Sequence, residues 1–387
     1  MFDNVKLFKN VDWLFVALIF STLAINLIIL SSASANIVDG NPLFYVKKQL
    51  LWIGVGSVIF FLVALFNYEK FKKIDALIYI FVILLLVAVL FAPEQKNAHR
   101  WFDLGFMDLQ PSELAKLALI VVFGCFLAKK KGKLNRPRNL IVCSVLVLLP
   151  VFLILIEPDL GTSLVFIAIA LAMAVVGGVP KKVIIAIVLI IAILIIMIFG
   201  ILYFYTDGYQ SKLEEAPSFL PLKAYQLTRL IIFINPYMDP LDSGYHMIQS
   251  EVAIGSGGLL GKGFGNGTQV QGNFLPEHHT DFIFSVVGEE FGFLGALGVL
   301  LLYLGLLMRA IGIAQRAKNL LGTVMVTGVV AMFAFQVFVN VGMTIGIMPV
   351  TGLPLPLLSY GGSGMIINMA ALGLILSVNM RSKEKLF

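Results

Sequence analysis

The sequence predicts an all-α polytopic membrane protein with about ten transmembrane helices, both termini cytoplasmic, and a long extracytoplasmic segment between helices 7 and 8. Three observations carry that expectation. Of the 387 residues, 59% are hydrophobic and only 13% charged, against about 45–50% and about 25% in an average soluble domain. So little charge cannot clothe a water-facing surface of this size, and the mean hydropathy of +0.96 agrees. The apolar residues gather into ten runs, each near the roughly 20 residues that cross a bilayer core as a helix. Lysine and arginine are divided unevenly between the connections. The same composition excludes a disordered or collagen-like chain. Two cysteines, Cys125 and Cys143, make neither a disulfide framework nor a zinc site.

The runs are read in order as one membrane domain, 1–387. The first, 12–32, is followed by Ala33-Ser34-Ala35, which mimics a signal-peptidase site. Its apolar stretch exceeds the 7–15 residues of a signal peptide, so a retained helix is expected. Runs 48–66 and 75–92 are joined by Lys70, Lys72 and Lys73. Run 112–128 is led by Pro111-Ser112-Glu113, a proline-first helix start. Only Glu157-Pro158-Asp159 separates 140–156 from 160–179, which requires a tight polar turn because proline disfavours helix in the residue before it. Run 183–205 leads into the long segment 206–280, and 281–308, 320–346 and 363–380 complete the set. The long segment is patterned: an amphipathic stretch from Ala224 to Phe233, then a glycine-dense stretch from Gly255 to Gly267. A connection of that length with its own pattern reads as functional more readily than as a linker.

Nineteen of the 28 lysines and arginines fall on alternate connections that include both termini, and eight on the others. The richest connection carries Lys129, Lys130, Lys131, Lys133, Arg136 and Arg138. The positive-inside rule then places both termini in the cytoplasm. The net charge of +6 reports orientation, and no nucleic-acid partner is expected.

The connections assigned outside hold most of the polar chemistry. The glycine stretch is not a phosphate loop: Lys262 is followed by Gly263 rather than Ser or Thr, and position 256 is Ser. An anion-binding nest, close helix packing or a re-entrant turn all remain open for it. His99, His246, His278 and His279 lack metal-ligand spacing and read as exposed loop residues. Ionisable groups at span ends are sharper, because each costs about 2.5–3.5 kcal/mol at mid-bilayer. Glu113 and Lys116, three apart, share a helix face and can pair. Glu157 and Asp159 flank the proline turn; Asp281 opens the eighth run, with Glu277 before it and Ser285, Glu289 and Glu290 after it. Carboxylates beside Arg100-Trp101-Phe102 suit a lipid-linked anionic substrate, with a carboxylate as base and cations on phosphate. A transporter of such an amphiphile fits these residues equally.

Four motifs in order resemble the SEDS family (shape, elongation, division and sporulation), most closely its rod-shape branch. They are His99-Arg100-Trp101-Phe102-Asp103-Leu104-Gly105 leading into Gln110-Pro111-Ser112-Glu113-Leu114-Ala115-Lys116; Glu157-Pro158-Asp159-Leu160-Gly161-Thr162; Pro276-Glu277-His278-His279-Thr280-Asp281-Phe282; and Pro349-Val350-Thr351-Gly352-Leu353-Pro354-Leu355-Pro356, running into Ser359-Tyr360-Gly361-Gly362-Ser363. The resemblance implies a peptidoglycan glycosyltransferase that polymerises lipid II on the outer face of the cell membrane during elongation. It also implies undecaprenyl pyrophosphate as leaving group, and a class B penicillin-binding protein and the elongation machinery as partners. It makes Asp281 the essential aspartate and expected general base, with Glu113 and Lys116 as its catalytic companions. Arg100, Trp101, Asp159, Arg229, Lys262 and Glu277 are the expected substrate contacts. Lys116, Arg100, Arg229, Lys262 or a divalent cation (Mg2+ or Mn2+) would take the pyrophosphate. A flippase for the lipid-linked precursor is the rival expectation.

Overall fold

The computed structural model describes residues 9–35, 41–93, 100–105, 107–206, 224–239 and 244–382, without the side chains of 201–206, 224–227 and 238. Parts of the segments expected outside, including His99, lie beyond that set.

Apolar composition sets the helices and polar caps set their ends. Helix α1 (Trp13–Ala33) starts at Asp12, whose carboxylate accepts the Phe15 N–H. Helix α2 (Phe44–Leu65) is followed by a 3-10 turn, Tyr68–Lys73, capped by Asn67. Helix α3 (Asp75–Val89) is 15 residues long. A two-residue hairpin, β1 (Phe102–Asp103) with β2 (Asp108–Leu109), pairs Phe102 with Leu109 in antiparallel register. Helices α4 (Pro111–Lys129) and α5 (Pro137–Ile156) each begin on proline, where its missing N–H costs nothing. Helix α6 (Leu160–Gly177) ends on Gly178 in the left-handed region, φ +87°. After α7 (Lys181–Thr206) come α8 (Ala224–Ile234), α9 (Tyr245–Gly257) and the short α10 (Thr268–Gln271). Helices α11 (Ile283–Gln315), α12 (Leu320–Thr344) and α13 (Gly362–Ser382) finish the chain.

Nine helices among the described residues have the length and apolarity to cross a bilayer. The third expected span differs. Its α-helix stops at Val89, and Leu90, Phe91 and Ala92 continue through N–H bonds to the carbonyls three residues back. That tighter geometry closes the run just before Pro93. Helices α4, α12 and α13 are the most buried; α7 buries nothing over Lys181–Gly200, as befits a helix apolar all round whose solvent is lipid.

One end of the bundle is tied by charge and amide. Arg309 pairs with Asp12 at 2.7 Å, Lys129 with Asp75 at 2.6 Å. Asn379 Nδ2 donates to the Asn10 carbonyl at 2.9 Å, so the two ends of the described chain emerge together.

The glycine stretch resolves as a splint on a broken helix. Helix α11 is interrupted at Gly292 (φ 64°, ψ −163°), a conformation open essentially to glycine alone. The break leaves the Glu289 and Glu290 carbonyls and the Phe293 and Leu294 N–H groups without helical partners. Lys262 and Gly263 N–H groups bond those carbonyls at 3.0 and 2.9 Å, while the Gly258 and Leu259 carbonyls take those N–H groups at 2.9 and 3.2 Å. A Cβ at Gly257 would stand 2.0 Å from the Gly288 carbonyl oxygen, which explains glycine there. Of the readings the sequence left open, close backbone packing holds.

Candidate active site

At the end of the bundle opposite the charge ties, the turn before α11 carries Asp281. Three successive carbonyls fix that turn. The Tyr360 N–H donates to His279 O at 3.0 Å, Ser359 Oγ to Thr280 O at 2.6 Å, and Asn340 Nδ2 to Asp281 O at 2.8 Å. Within the turn, Thr280 Oγ1 donates to the Glu277 carboxylate at 3.1 Å, and Glu277 itself takes φ +50°. The Asp281 side chain is half-buried and faces the 349–361 loop: a Cβ on Gly352 would lie 3.4 Å from Asp281 Oδ2 and 3.7 Å from Arg229 Nη1. Gly352 takes φ +73°. Absence of a side chain there lets a carboxylate and a guanidinium from distant segments converge.

Arg229, on α8, also donates to Val350 O at 3.3 Å. It lines one side of a small cleft, with Arg100, Asp159, Pro349, Val350 and Thr351 among the other walls. Arg100 is held by the polar turn, its Nε donating to Glu157 O at 2.8 Å and its Nη2 to Pro158 O. Asp159 caps α6: its oxygens accept the Thr162 N–H at 3.0 Å, the Thr162 hydroxyl at 2.9 Å and the Gln110 amide at 3.2 Å. Burial first, and Asp159 second, push the Glu157 carboxyl up to about 8, against the opposing pull of Arg100. Guanidiniums such as those of Arg100 and Arg229 have the fork geometry that pairs bidentately with phosphate oxygens.

Glu113 and Lys116 form the expected pair at 2.7 Å on α4. Lys116 is 0% exposed, and in this conformation its charge is met by Glu113. The second Glu113 oxygen lies 4.0 Å from where a Cβ on Gly364 would stand, at the start of α13. A helix N-terminus favours a carboxylate.

Lys262 lies in the splint. Its Nζ sits 2.7 Å from the fully buried Glu289, which also accepts the Thr268 hydroxyl and the Gln269 and Val270 N–H groups. Glu289 follows Asp281 by eight residues, about 12 Å along a helix, so Lys262 serves the splint. Trp101 is half-buried beside β1. The three described histidines are not the exposed loop residues expected. His278 is buried with Nδ1 on Leu275 O; His279 packs 4.8 Å from the Tyr45 ring; His246 stacks on Phe282 at 6.0 Å. Among the described residues no group of three or more His, Cys, Asp or Glu side chains gathers as a metal site.

Residues that sequence reasoning left without a role are Asn340, Ser359 and Gly352. A signal existed for the first, which with Gln336 is one of two amides in the apolar run 320–346. Ser359 and Gly352 lay inside a quoted motif, but only the folded loop shows what they hold.

A multi-span membrane protein with a carboxylate beside a two-arginine cleft is the class defined so far. Its family is now plain. The family described as "Cell cycle protein", that of FtsW, RodA and SpoVE, matches residues 11–384, and the chain belongs to it. The peptidoglycan glycosyltransferase MrdB of Escherichia coli strain K12 is 38% identical over 347 residues, covering 89% of this chain and 88% of the relative. The peptidoglycan glycosyltransferase RodA of Treponema pallidum is 35% identical, covering 86% and 89%. A solved chain from a peptidoglycan synthase complex that coordinates polymerization and crosslinking superposes with a TM-score of 0.78 at 31% identity, covering 97% of this chain and 99% of that one.

Proposed function

We propose that this chain is a peptidoglycan glycosyltransferase that polymerises lipid II at the outer face of the cell membrane during elongation. The observation that carries it is the convergence of Asp281 and Arg229 on Gly352, beside a cleft that Arg100 shares. Asp281 takes the proton from the 4-hydroxyl of the acceptor's GlcNAc. That oxygen bonds to C1 of the donor's MurNAc as the C1–O bond to undecaprenyl pyrophosphate breaks. Charge develops on the departing pyrophosphate, so cations placed in advance lower the barrier. Arg100 and Arg229 supply them. Glu113 and Lys116 pair on α4, with the Glu113 carboxylate facing the start of α13. The basic bundle end, with Lys129 and Arg309, faces the cytoplasm, which directs the cleft outward.

The crosslinking named for the related complex calls for a transpeptidase, and a class B penicillin-binding protein is the expected partner. The decisive assay mixes the purified chain, that partner and lipid II in detergent. Glycan strands and released undecaprenyl pyrophosphate are expected. Lipid II transfer between vesicle leaflets without any polymer would instead establish the flippase reading.

A further inference from the structure

We propose that Asn340 is the positioning residue for Asp281. This rests on the reading of Asp281 as the base. Asn340 is on α12, 0% exposed, and spends both amide hydrogens on one junction: Nδ2 donates to Asp281 O at 2.8 Å and to Leu353 O at 2.7 Å. Those carbonyls belong to two different loops. They bracket the place where Asp281 Oδ2 meets Gly352, the residue before Leu353. A single planar amide therefore sets the distance between the loop that carries the base and the loop beside the anion cleft.

The oxygen of Asn340 has no hydrogen-bond partner among the described residues, so the site keeps this residue for its two donors. Burying an amide in an apolar span is costly unless its groups are used. Ser359 supplies a separate tie one residue upstream, accepting the Leu355 N–H at 2.8 Å and donating to Thr280 O at 2.6 Å. With Ser359 in place, loss of Asn340 leaves the loops joined and removes the tie at the residue 281 carbonyl. Base catalysis is steeply sensitive to such freedom: a displacement of about 1 Å costs about 100-fold.

The test is steady-state lipid II polymerisation by the complex with its partner. Asn340→Ala is expected to lower kcat about 100-fold with KM for lipid II changed less than about threefold. Combined with Asp281→Glu, whose carboxylate is already displaced, Asn340→Ala should cost less than about threefold more. A folded Asn340→Ala with parental kcat, a matching rise in KM, or a full multiplicative loss in the double variant each overturns the proposal. Should Asn340→Ala not fold, Asn340→Asp keeps the size and turns the donors into an acceptor. Its rate relative to the parent should rise as pH falls from 8 to 6, because the protonated carboxyl restores one donor; a flat ratio overturns the proposal. An Asp281→Asn protein that polymerises normally defeats the base reading itself. An inactive Asp281→Asn beside a fully active Asn340→Ala defeats only the positioning role.

Discussion

At the scale of single residues, the buried groups near the cleft make the sharpest demands. Lys116 and Glu113 are sealed together at 2.7 Å. Removing one partner of such a pair typically costs about 3–5 kcal/mol, because the other charge is left buried and alone. Glu113→Gln and Lys116→Met should each lower the unfolding temperature in detergent markedly, and the double variant should recover part of the loss. Additive losses would show that the two charges do not depend on each other. Glu157 supplies a pH test. Its folded-state value of about 8 lies above the ordinary 4.5, so the folded protein binds this proton more tightly than the unfolded chain. Stability from this group is complete below about pH 4.5 and is lost as pH rises towards 8. Glu157→Gln stays neutral, so its unfolding temperature should gain on the parent's from pH 5 to pH 8.5. Parallel curves would exclude the shift.

At the scale of elements, helices were legible and their interruptions were not. Hydrophobic run length located α1, α2 and α4 to α7 because lipid imposes one long apolar period. It also overextended α3, since three-residue hydrogen bonding after Val89 leaves no trace in composition. The break in α11 was invisible for a similar reason: Gly292 sits inside the run 281–308, which reads as one unbroken span. Its partner, the glycine stretch from Gly255 to Gly267, was seen but could not be assigned, because a nest and a splint use the same glycines. Gly292→Ala should cost about 1–3 kcal/mol from backbone conformation alone. Its Cβ would also stand 2.3 Å from the Gly261 N. Thermal unfolding that matches the parent would mean that the break is not obligatory. Of the cleft, Arg100 and Asp159 were legible from motifs. The contact of Lys262 with Glu289 was not, because sequence position says nothing about which carboxylate a lysine meets.

At the scale of the whole molecule, the two ends of the bundle divide the labour. One is tied by Asp12 to Arg309, Asp75 to Lys129 and Asn10 to Asn379, and it carries most of the basic residues. The other gathers segments from all along the chain: Arg100 before α4, Asp159 at α6, Arg229 on α8, Asp281 at α11 and Gly352 after α12. The convergence of those five positions needed the fold. The central claim is that Asp281 removes a proton from an acceptor sugar. Polymerisation by the Asp281→Asn complex, measured beside its binding of lipid II, tests it most directly. The account predicts parental binding and no glycan strands; polymerisation near the parental rate would contradict it.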